Sequence, residues 1–164
     1  ILVVGKTSGH LHQSELFREV LNIKDGPPPE VNLFNEKNNG LYIQKLIYNK
    51  LVNAVHDVSS GGIIVALSEM CMAGNIGAKI KIPKYKMSLH EYLFSEDQSR
   101  YIIEVGDKNI DNVKKTLDKN GIFYEIIGNT QKESLEINEE FSIKLNNLYK
   151  LNSFWFKNYF DEDK

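Results

Sequence analysis

Short runs of β-branched and alternating apolar residues divide this chain into a series of predicted strands. In Ala78–Ile82, Ile80 and Ile82 alternate with Lys79 and Lys81, which is typical of a half-buried strand. Turn residues bound each run, as Pro83 does here. The complete set of predicted strands is Ile1–Val4, Asn53–Val58, Ala78–Ile82, Arg100–Val105 and Ile122–Ile127, with a hairpin formed by Ser134–Ile137 and Phe141–Leu145.

Between the strands, apolar residues recur every three or four positions and predict helices. The helix from Ser60 to about Met72 is apolar on nearly every side, so we expect it to be buried on both flanks. The other predicted helices are Ser14–Asn22, Leu33–Leu51, Ser88–Phe94, Asp107–Asn120 and Asn146–Phe160. The residues expected to point inward from them include Leu16, Val20, Leu21, Ile43, Leu46, Ile47, Leu51, Ile110, Val113, Leu117, Leu148, Leu151, Trp155 and Tyr159.

The order of these elements predicts the fold class. Strands and helices are interleaved irregularly, two helices are adjacent near the start, and a hairpin lies near the end. This order favours an α+β fold, a mixed β-sheet covered by helices, over a doubly wound nucleotide fold. We expect residues 1–164 to form a single domain, closed by a solvated tail at Asp161–Lys164. Because the chain begins inside a strand, we expect it to be a piece of a longer multidomain protein.

Composition and charge narrow the classes of partner. The 164 residues include 41% hydrophobic and 26% charged residues, with a net charge of −2 and a pI near 6.1. This balance predicts no basic patch, so we expect no nucleic acid and no membrane among the partners. The single cysteine, Cys71, lies in an apolar run and is expected to be a packed core thiol. A chain without a disulfide framework fits a reducing compartment, and we expect a cytoplasmic protein.

The segment Val55–Gly62 combines a strand, a polar turn and two glycines that open a helix. Free backbone N–H groups at a helix start attract anions such as phosphate. Two interpretations remain open for His56 and Asp57, which either cap the following helix or contact a ligand. Gly61 and Gly62 likewise either admit a ligand close to the backbone or allow close packing of the helix.

The segment Glu96–Arg100 carries a second candidate chemistry. Arg100 could clamp a phosphate and Gln98 could bind a ribose or an amide. The alternative is a polar loop with an internal pair between the arginine and a carboxylate. His10 and His12 have no Cys or further His nearby, and Glu15 is the only close carboxylate, so we expect no metal site there. The aromatic side chains of the last helix are expected to form core and a docking face: Tyr149, Phe154, Trp155, Phe156, Tyr159 and Phe160.

Taken together, four segments resemble the C-terminal domain of the aminoimidazole ribonucleotide (AIR) synthetase-related family. Within that family they are most similar to the last domain of the synthetase component of the phosphoribosylformylglycinamidine synthases. The resemblance spans nearly the whole chain and keeps the order of the segments. The four segments are Gly5–Ser14 with Arg18 and Glu19, Asp25–Val31, His56–Ala78, and Leu93–Val105.

The resemblance implies a function for the parent enzyme. Enzymes of this group convert formylglycinamide ribonucleotide, glutamine and ATP to the amidine in purine biosynthesis, as ATP-dependent C–N ligases. The cofactors implied are ATP and Mg²⁺, and the partners implied are the remaining synthetase domains and a glutaminase domain or subunit. Most ATP and metal contacts of the family belong to domains outside this chain, so we expect no catalytic and no metal-binding residue here, and no activity of the chain alone.

The resemblance also implies an auxiliary or structural site for phosphate or nucleotide in this domain. Its residues would be His56, Asp57, Ser59, Gly61, Gly62, Glu96, Gln98 and Arg100. Members of the family commonly have Gly at the position of His12, Gly at that of Ser95 and Ser at that of Asp97. A carboxylate at position 97 would repel a phosphate, which favours a non-catalytic site or one in which a cation compensates. Two other functions stay open: a selenophosphate synthetase-like enzyme, which would need a reactive Cys or Sec, and a purely structural or docking module.

Overall fold

A computed structural model of the chain describes residues 1–82 and 87–161, the last of them by its backbone alone. The predicted strand stop at Pro83 and the tail beyond Asp161 lie outside these residues. The described part contains eight strands and five α-helices, and most of the predicted elements are confirmed within one to three residues. The strands are β1 Leu2–Val4, β2 Ala54–Asp57, β3 Gly77–Ile80, β4 Tyr101–Glu104, β5 Tyr124–Ile126, β6 Gly128–Gln131, β7 Ser134–Ile137 and β8 Phe141–Lys144. The helices are α1 Leu33–Tyr48, α2 Gly62–Gly74, α3 Leu89–Phe94, α4 Asp107–Lys119 and α5 Leu145–Asp161. A π-helical turn, Leu16–Val20, replaces the first predicted helix.

The first sheet has the order β2-β4-β1-β5 and is antiparallel throughout. Its central strand β1 pairs Val3 with Ile102 of β4 and with Glu125 of β5. Side chains of β1 alternate between the two faces of the sheet. Leu2 and Val4 pack under α1 and α4, whereas Val3 packs under α2. This sheet is therefore covered by helices on both faces.

The second sheet has the order β6-β3-β7-β8 and is mixed, because β3 and β7 run parallel while the other pairs are antiparallel. The α+β class is thus confirmed, with two four-stranded sheets where one was expected. Strand β6 was not predicted, because its sequence Gly-Asn-Thr-Gln has no apolar alternation. Its pairing with β3 is supported by Gln131, whose Nε2 donates to the carbonyl oxygens of Ala78 and Ser134.

Several helix faces are more exposed than the sequence predicted. Helix α2 is not buried on both flanks, since Val65 is 38% exposed and Glu69 and Ala73 share its open side. In α1, Ile43 and Leu46 are buried but Ile47 is exposed, because it lies about 100° around the helix from Leu46. Other residues expected to point inward are also exposed, because they lie away from the helix faces that meet a sheet. They are Val20 and Leu21 in the first turn, and Leu151, Trp155 and Tyr159 in α5.

Helix α5 is packed only through its first turns. Leu145 is buried, Leu148 is partly buried against the core, and the Tyr149 hydroxyl donates to the carbonyl oxygen of Met72. Beyond this point the aromatic side chains stack on one another along the helix rather than on the sheets. Among the described residues, no helix combines the length and the apolar character needed to cross a membrane.

Candidate functional site

Three segments meet at one end of α2 and form what we call the junction: the loop Thr7–Glu15, the glycines Gly61–Gly62, and the loop Ser95–Arg100. The last of these is anchored to α1, because Asn39 Nδ2 donates to the Ser99 carbonyl oxygen over 2.9 Å and the Ser99 hydroxyl donates to Glu36 over 2.6 Å. The fold thus brings together the glycines of the segment Val55–Gly62 and the segment Glu96–Arg100, the two candidate segments of the sequence analysis.

Arg100 is the centre of the junction and is only 1% exposed. All three of its guanidinium nitrogens donate to acceptors of this chain. Nε donates to the Asp97 carbonyl oxygen over 3.0 Å and Nη2 to the Ser95 carbonyl oxygen over 2.6 Å. Nη1 donates to the hydroxyls of Thr7 and Ser95 over 3.2 and 3.3 Å. Burial lowers the Arg100 pKa, and the nearby charge of Asp97 opposes that shift.

Asp97 is the second buried charge of the junction, at 7% exposure. Its Oδ2 atom accepts from the backbone N–H groups of Ser8 and Gly9 over 2.8 and 3.0 Å, and its Oδ1 atom accepts from that of His10 over 3.4 Å. The Arg100 Nη1 atom lies 4.0 Å from Oδ2. Three successive amides therefore converge on one carboxylate, an arrangement that suits any small oxyanion.

Glu96 plays the same part at the start of α2. Its Oε1 atom accepts from the backbone N–H groups of Gly61 and Glu15, both over 2.8 Å. Unpaired N–H groups and the helix dipole make a helix start a favourable place for a negative charge. The anion held at the first turn of α2 is therefore a side chain of the protein itself.

Gly62 packs directly against the junction backbone. Its φ is +72°, and a Cβ atom at this position would lie 2.6 Å from the carbonyl oxygens of both Leu93 and Ser95. The close approach that glycine permits here is thus an approach of protein to protein. A Cβ atom at Gly61, whose φ is +79°, would instead overlap the side chain of Val65 on α2.

Three of the predicted site residues, His56, Asp57 and Ser59, lie outside the junction. The Nε2 atom of His56 is 3.1 Å from the Glu69 carboxylate on α2, and its Nδ1 atom lies 2.6 Å from the Asp57 carbonyl oxygen. Asp57 and Ser59 are exposed. The capping interpretation for His56 and Asp57 is wrong, because the N-cap of α2 is Gly61 and no side chain caps it from within that turn.

Gln98 is exposed and lines a polar cavity of about 350 Å³ beside Asp97. Lys6, Ser8 and His10 from the first loop line the same cavity, as do Asn35 and Asn39 from α1. This cavity could not be predicted from the sequence, because its walls come from segments about 90 residues apart. Thr7 and Ser95 were also missed as partners of Arg100, since a lone hydroxyl carries no signature in a sequence.

A larger cavity of about 620 Å³ lies between β2, β3 and α2. Its lining is mainly apolar, with residues such as Val55, Leu67 and Met70, and includes the buried thiol of Cys71. Burial raises the pKa of Cys71 to about 11, so the thiol is protonated at neutral pH. The expectation of a packed core thiol is confirmed.

The two histidines of the first loop, His10 and His12, face the proline-rich segment. His10 Nε2 lies 2.9 Å from the Pro27 carbonyl oxygen and His12 Nδ1 lies 3.1 Å from that of Asp25. Within residues 1–82 and 87–161 there is no group of three or more His, Cys, Asp or Glu side chains placed to hold a metal ion.

Comparison with known proteins places this architecture in a family. The model of the AIR synthase related protein, C-terminal domain, matches residues 1–138, which is most of the chain. The chain belongs to this family. The resemblance inferred from the four sequence segments is thereby confirmed, and the family accounts for every element from β1 to the end of β7.

Curated relatives match at higher identity over almost the entire chain. The phosphoribosylformylglycinamidine synthase subunit PurL of Pelagibacter ubique is 47% identical over 161 residues, covering 98% of this chain and 22% of the relative. The subunit of the same name from Rhodopseudomonas palustris is 38% identical over 159 residues, covering 97% of this chain and 22% of the relative. The chain thus spans about a fifth of the length of these relatives.

Solved structures share the fold at low sequence identity. Thermotoga maritima PurL complexed with FGAR superposes with a TM-score of 0.72 at 21% identity, over 90% of this chain and 27% of that protein. A thiamine-monophosphate kinase from Stenotrophomonas maltophilia superposes with a TM-score of 0.56 at 14% identity, over 84% of this chain and 49% of the kinase. These likenesses describe the fold alone.

Proposed function

We propose that this chain is the C-terminal domain of a phosphoribosylformylglycinamidine synthase, an ATP- and glutamine-dependent ligase that converts formylglycinamide ribonucleotide to the amidine. The proposal is carried by the 47% identity to the Pelagibacter ubique PurL subunit over 98% of the chain. Its working partners would be the remaining synthetase domains and a glutaminase domain or subunit, in the cytoplasm. In support, solved Thermotoga maritima relatives include PurL complexed with ATP, PurL complexed with FGAR, and PurLQS.

The residues of this chain do not themselves fit ATP and Mg²⁺. The amides that would hold a phosphate at the junction already bind the carboxylates of Asp97 and Glu96. The described residues also lack a cluster of acidic or histidine side chains that could hold a metal ion. We therefore assign ATP and Mg²⁺ to the other domains of the parent enzyme, and expect no catalytic residue in this one.

The contribution of this domain is structural, and it resides in the junction. Arg100 and the two carboxylates fix the loop Thr7–Glu15 against α2 through hydrogen bonds that involve charged groups, which are stronger than neutral ones. A loop held at several backbone positions presents a fixed surface to a neighbouring domain. On this view the domain orients its neighbours rather than reacting with substrate.

A hybrid enzyme tests the proposal. In the Pelagibacter ubique subunit, the stretch that matches this chain is replaced by residues 1–164, and hydrolysis of ATP dependent on formylglycinamide ribonucleotide and ammonia is measured. We expect the hybrid to retain activity, and the same hybrid with Arg100→Met to lose most of it. Arg18→Met serves as the matched control, because Arg18 is exposed and its ion pair among the described residues is with its neighbour Glu19.

The two outcomes that contradict the proposal are distinct. A hybrid that assembles with the size and thermal stability of the parent subunit but hydrolyses no ATP would show that the chain cannot serve in this enzyme. Conversely, ATP hydrolysis dependent on formylglycinamide ribonucleotide by the isolated 164-residue chain would contradict the assignment of catalysis to other domains.

A further inference from the structure

The loop Ser8–His10 forms a cradle of three backbone N–H groups, and the carboxylate of Asp97 fills it. The two closest contacts are 2.8 and 3.0 Å, which are the lengths expected for strong hydrogen bonds to a charged acceptor. Arg100 also fixes Asp97, because its Nε donates to the Asp97 carbonyl oxygen and its guanidinium lies 4.0 Å from Oδ2. Asp97 thus has its position fixed by four residues.

The cradle opens onto the polar cavity of about 350 Å³. Lys6 and His10 line that cavity, together with the amide side chains of Asn35 and Gln98. Apart from Asp97 and Glu30, these groups are cationic or neutral hydrogen-bonding side chains, which are suited to a small oxyanion. A cavity large enough to admit a small oxyanion therefore adjoins the cradle, since Ser8, His10 and Asp97 line both.

We propose that Asp97 is a built-in anion that closes this cradle to phosphate-bearing ligands, and that the cradle and its cavity bind phosphate once the carboxylate is removed. The amides cannot serve two anions, because each N–H group already donates to the carboxylate. A second negative charge a few ångströms from a carboxylate that is shielded from water is also strongly repelled. Asp97 is accordingly a specificity-determining residue that keeps this cradle free of phosphate.

This inference deepens the proposed function, since it states why this domain would not share in binding nucleotide, and it is tested without any enzyme assay. Inorganic phosphate is titrated into the 164-residue chain, and the backbone amide resonances of Ser8, Gly9 and His10 are followed by NMR together with the thermal midpoint. We expect no saturable change in the wild-type chain. In Asp97→Ala we expect saturable shifts of these three amides and a thermal midpoint that rises with phosphate concentration.

Two control variants separate the cradle from a general effect of charge. Asp97→Asn keeps an acceptor oxygen against the amides, so the cradle stays filled and phosphate should not bind. Asp111→Ala removes one negative charge from an exposed position of α4 and should behave as wild type. Binding by Asp111→Ala as strong as that by Asp97→Ala would overturn the proposal, because net charge alone would then explain it.

Other results also overturn it. Saturable phosphate shifts at Ser8–His10 in the wild-type chain would show that the carboxylate does not close the cradle, and this measurement does not depend on the folding of any variant. A folded Asp97→Ala that binds no phosphate would show that the emptied cradle is not an anion site. Failure of the hybrid enzyme would instead concern the proposed function and would leave the phosphate titration intact.

Discussion

Replacing Gly62 with alanine should destabilise the chain more than the same change at Gly121. Both glycines lie at helix ends with similar backbone angles, φ +72° at Gly62 and +64° at Gly121. They differ in their surroundings, since a Cβ atom at Gly62 would lie 2.6 Å from two carbonyl oxygens and one at Gly121 would have nothing within 4 Å. The pair therefore separates the cost of backbone angle from the cost of overlap.

The expected magnitudes follow from these two terms. A left-handed backbone angle costs a residue with a Cβ atom roughly 1–2 kcal/mol, which is the whole expected loss for Gly121→Ala. At Gly62 the added carbon must displace the backbone of the Ser95 loop, and overpacking of this kind costs about 1–3 kcal/mol more. We thus expect Gly62→Ala to lose about 2–5 kcal/mol, a large share of the roughly 5–15 kcal/mol that stabilises a typical domain.

Urea unfolding of wild type and both variants, followed by circular dichroism, measures the two losses. The comparison holds if the dependence of the unfolding free energy on urea is the same for all three proteins. Equal losses at the two positions would refute the reasoning, because they would show that the loop after α3 yields freely and that Gly62 is not packed against it. In that case the other interpretation of Gly61 and Gly62, that they admit a ligand close to the backbone, would regain support.

Three further changes test other parts of the structure. Arg100→Met should reduce the unfolding free energy by about 3–5 kcal/mol, because it leaves the buried Asp97 carboxylate without its neighbouring positive charge and several buried oxygen acceptors without their donor. Arg18→Met should change it by at most about 1 kcal/mol, and a loss at Arg100 no larger than at Arg18 would contradict this. Hydrogen bonds from Ser88 lower the pKa of Glu91, so the stability that its carboxylate contributes is present at neutral pH and is lost as the pH falls through the acid range. In Glu91→Gln the urea midpoint should therefore change less between about pH 3 and 6 than it does in wild type. An unchanged pH dependence would count against the capping box. Cys71, with a pKa raised to about 11, should react with a thiol reagent at pH 8 at least on the order of a hundredfold more slowly in the folded chain than in urea, and equal rates would show that the thiol is exposed.

The elements that the sequence predicted well are those whose signal is local. In α4, Val113 and Leu117 recur at helical spacing, and both are fully buried. Ser88 and Glu91 form the capping box at α3 that fixes where that helix begins. The resemblance to the family rests likewise on residues that are adjacent in the chain, so it could be inferred without a structure.

The elements that were missed depend on contacts between distant segments. Strand β6 is polar and is a strand only because β3 lies beside it. The open face of α2 and the exposed aromatic side chains of α5 reflect which helix sides meet a sheet, and apolar composition alone does not reveal this. Of the proposed site residues, Gly61, Gly62, Glu96 and Arg100 meet at the junction, while His56 turns toward Glu69 on α2.

By itself, the sequence determined the fold class, the family and the segments in which charged residues and glycines would matter. Periodicity, turn residues and capping act over a few positions, so they can be read along the chain. The partners of those residues were decided only by the tertiary structure. Asp97 looked like a charge that would repel a phosphate, and folding places its carboxylate against the amides of Ser8–His10, 87 to 89 residues away in sequence, where it accepts their hydrogen bonds. Hydrogen bonding depends on distances of about 3 Å in space, which the spacing of residues along a chain does not specify.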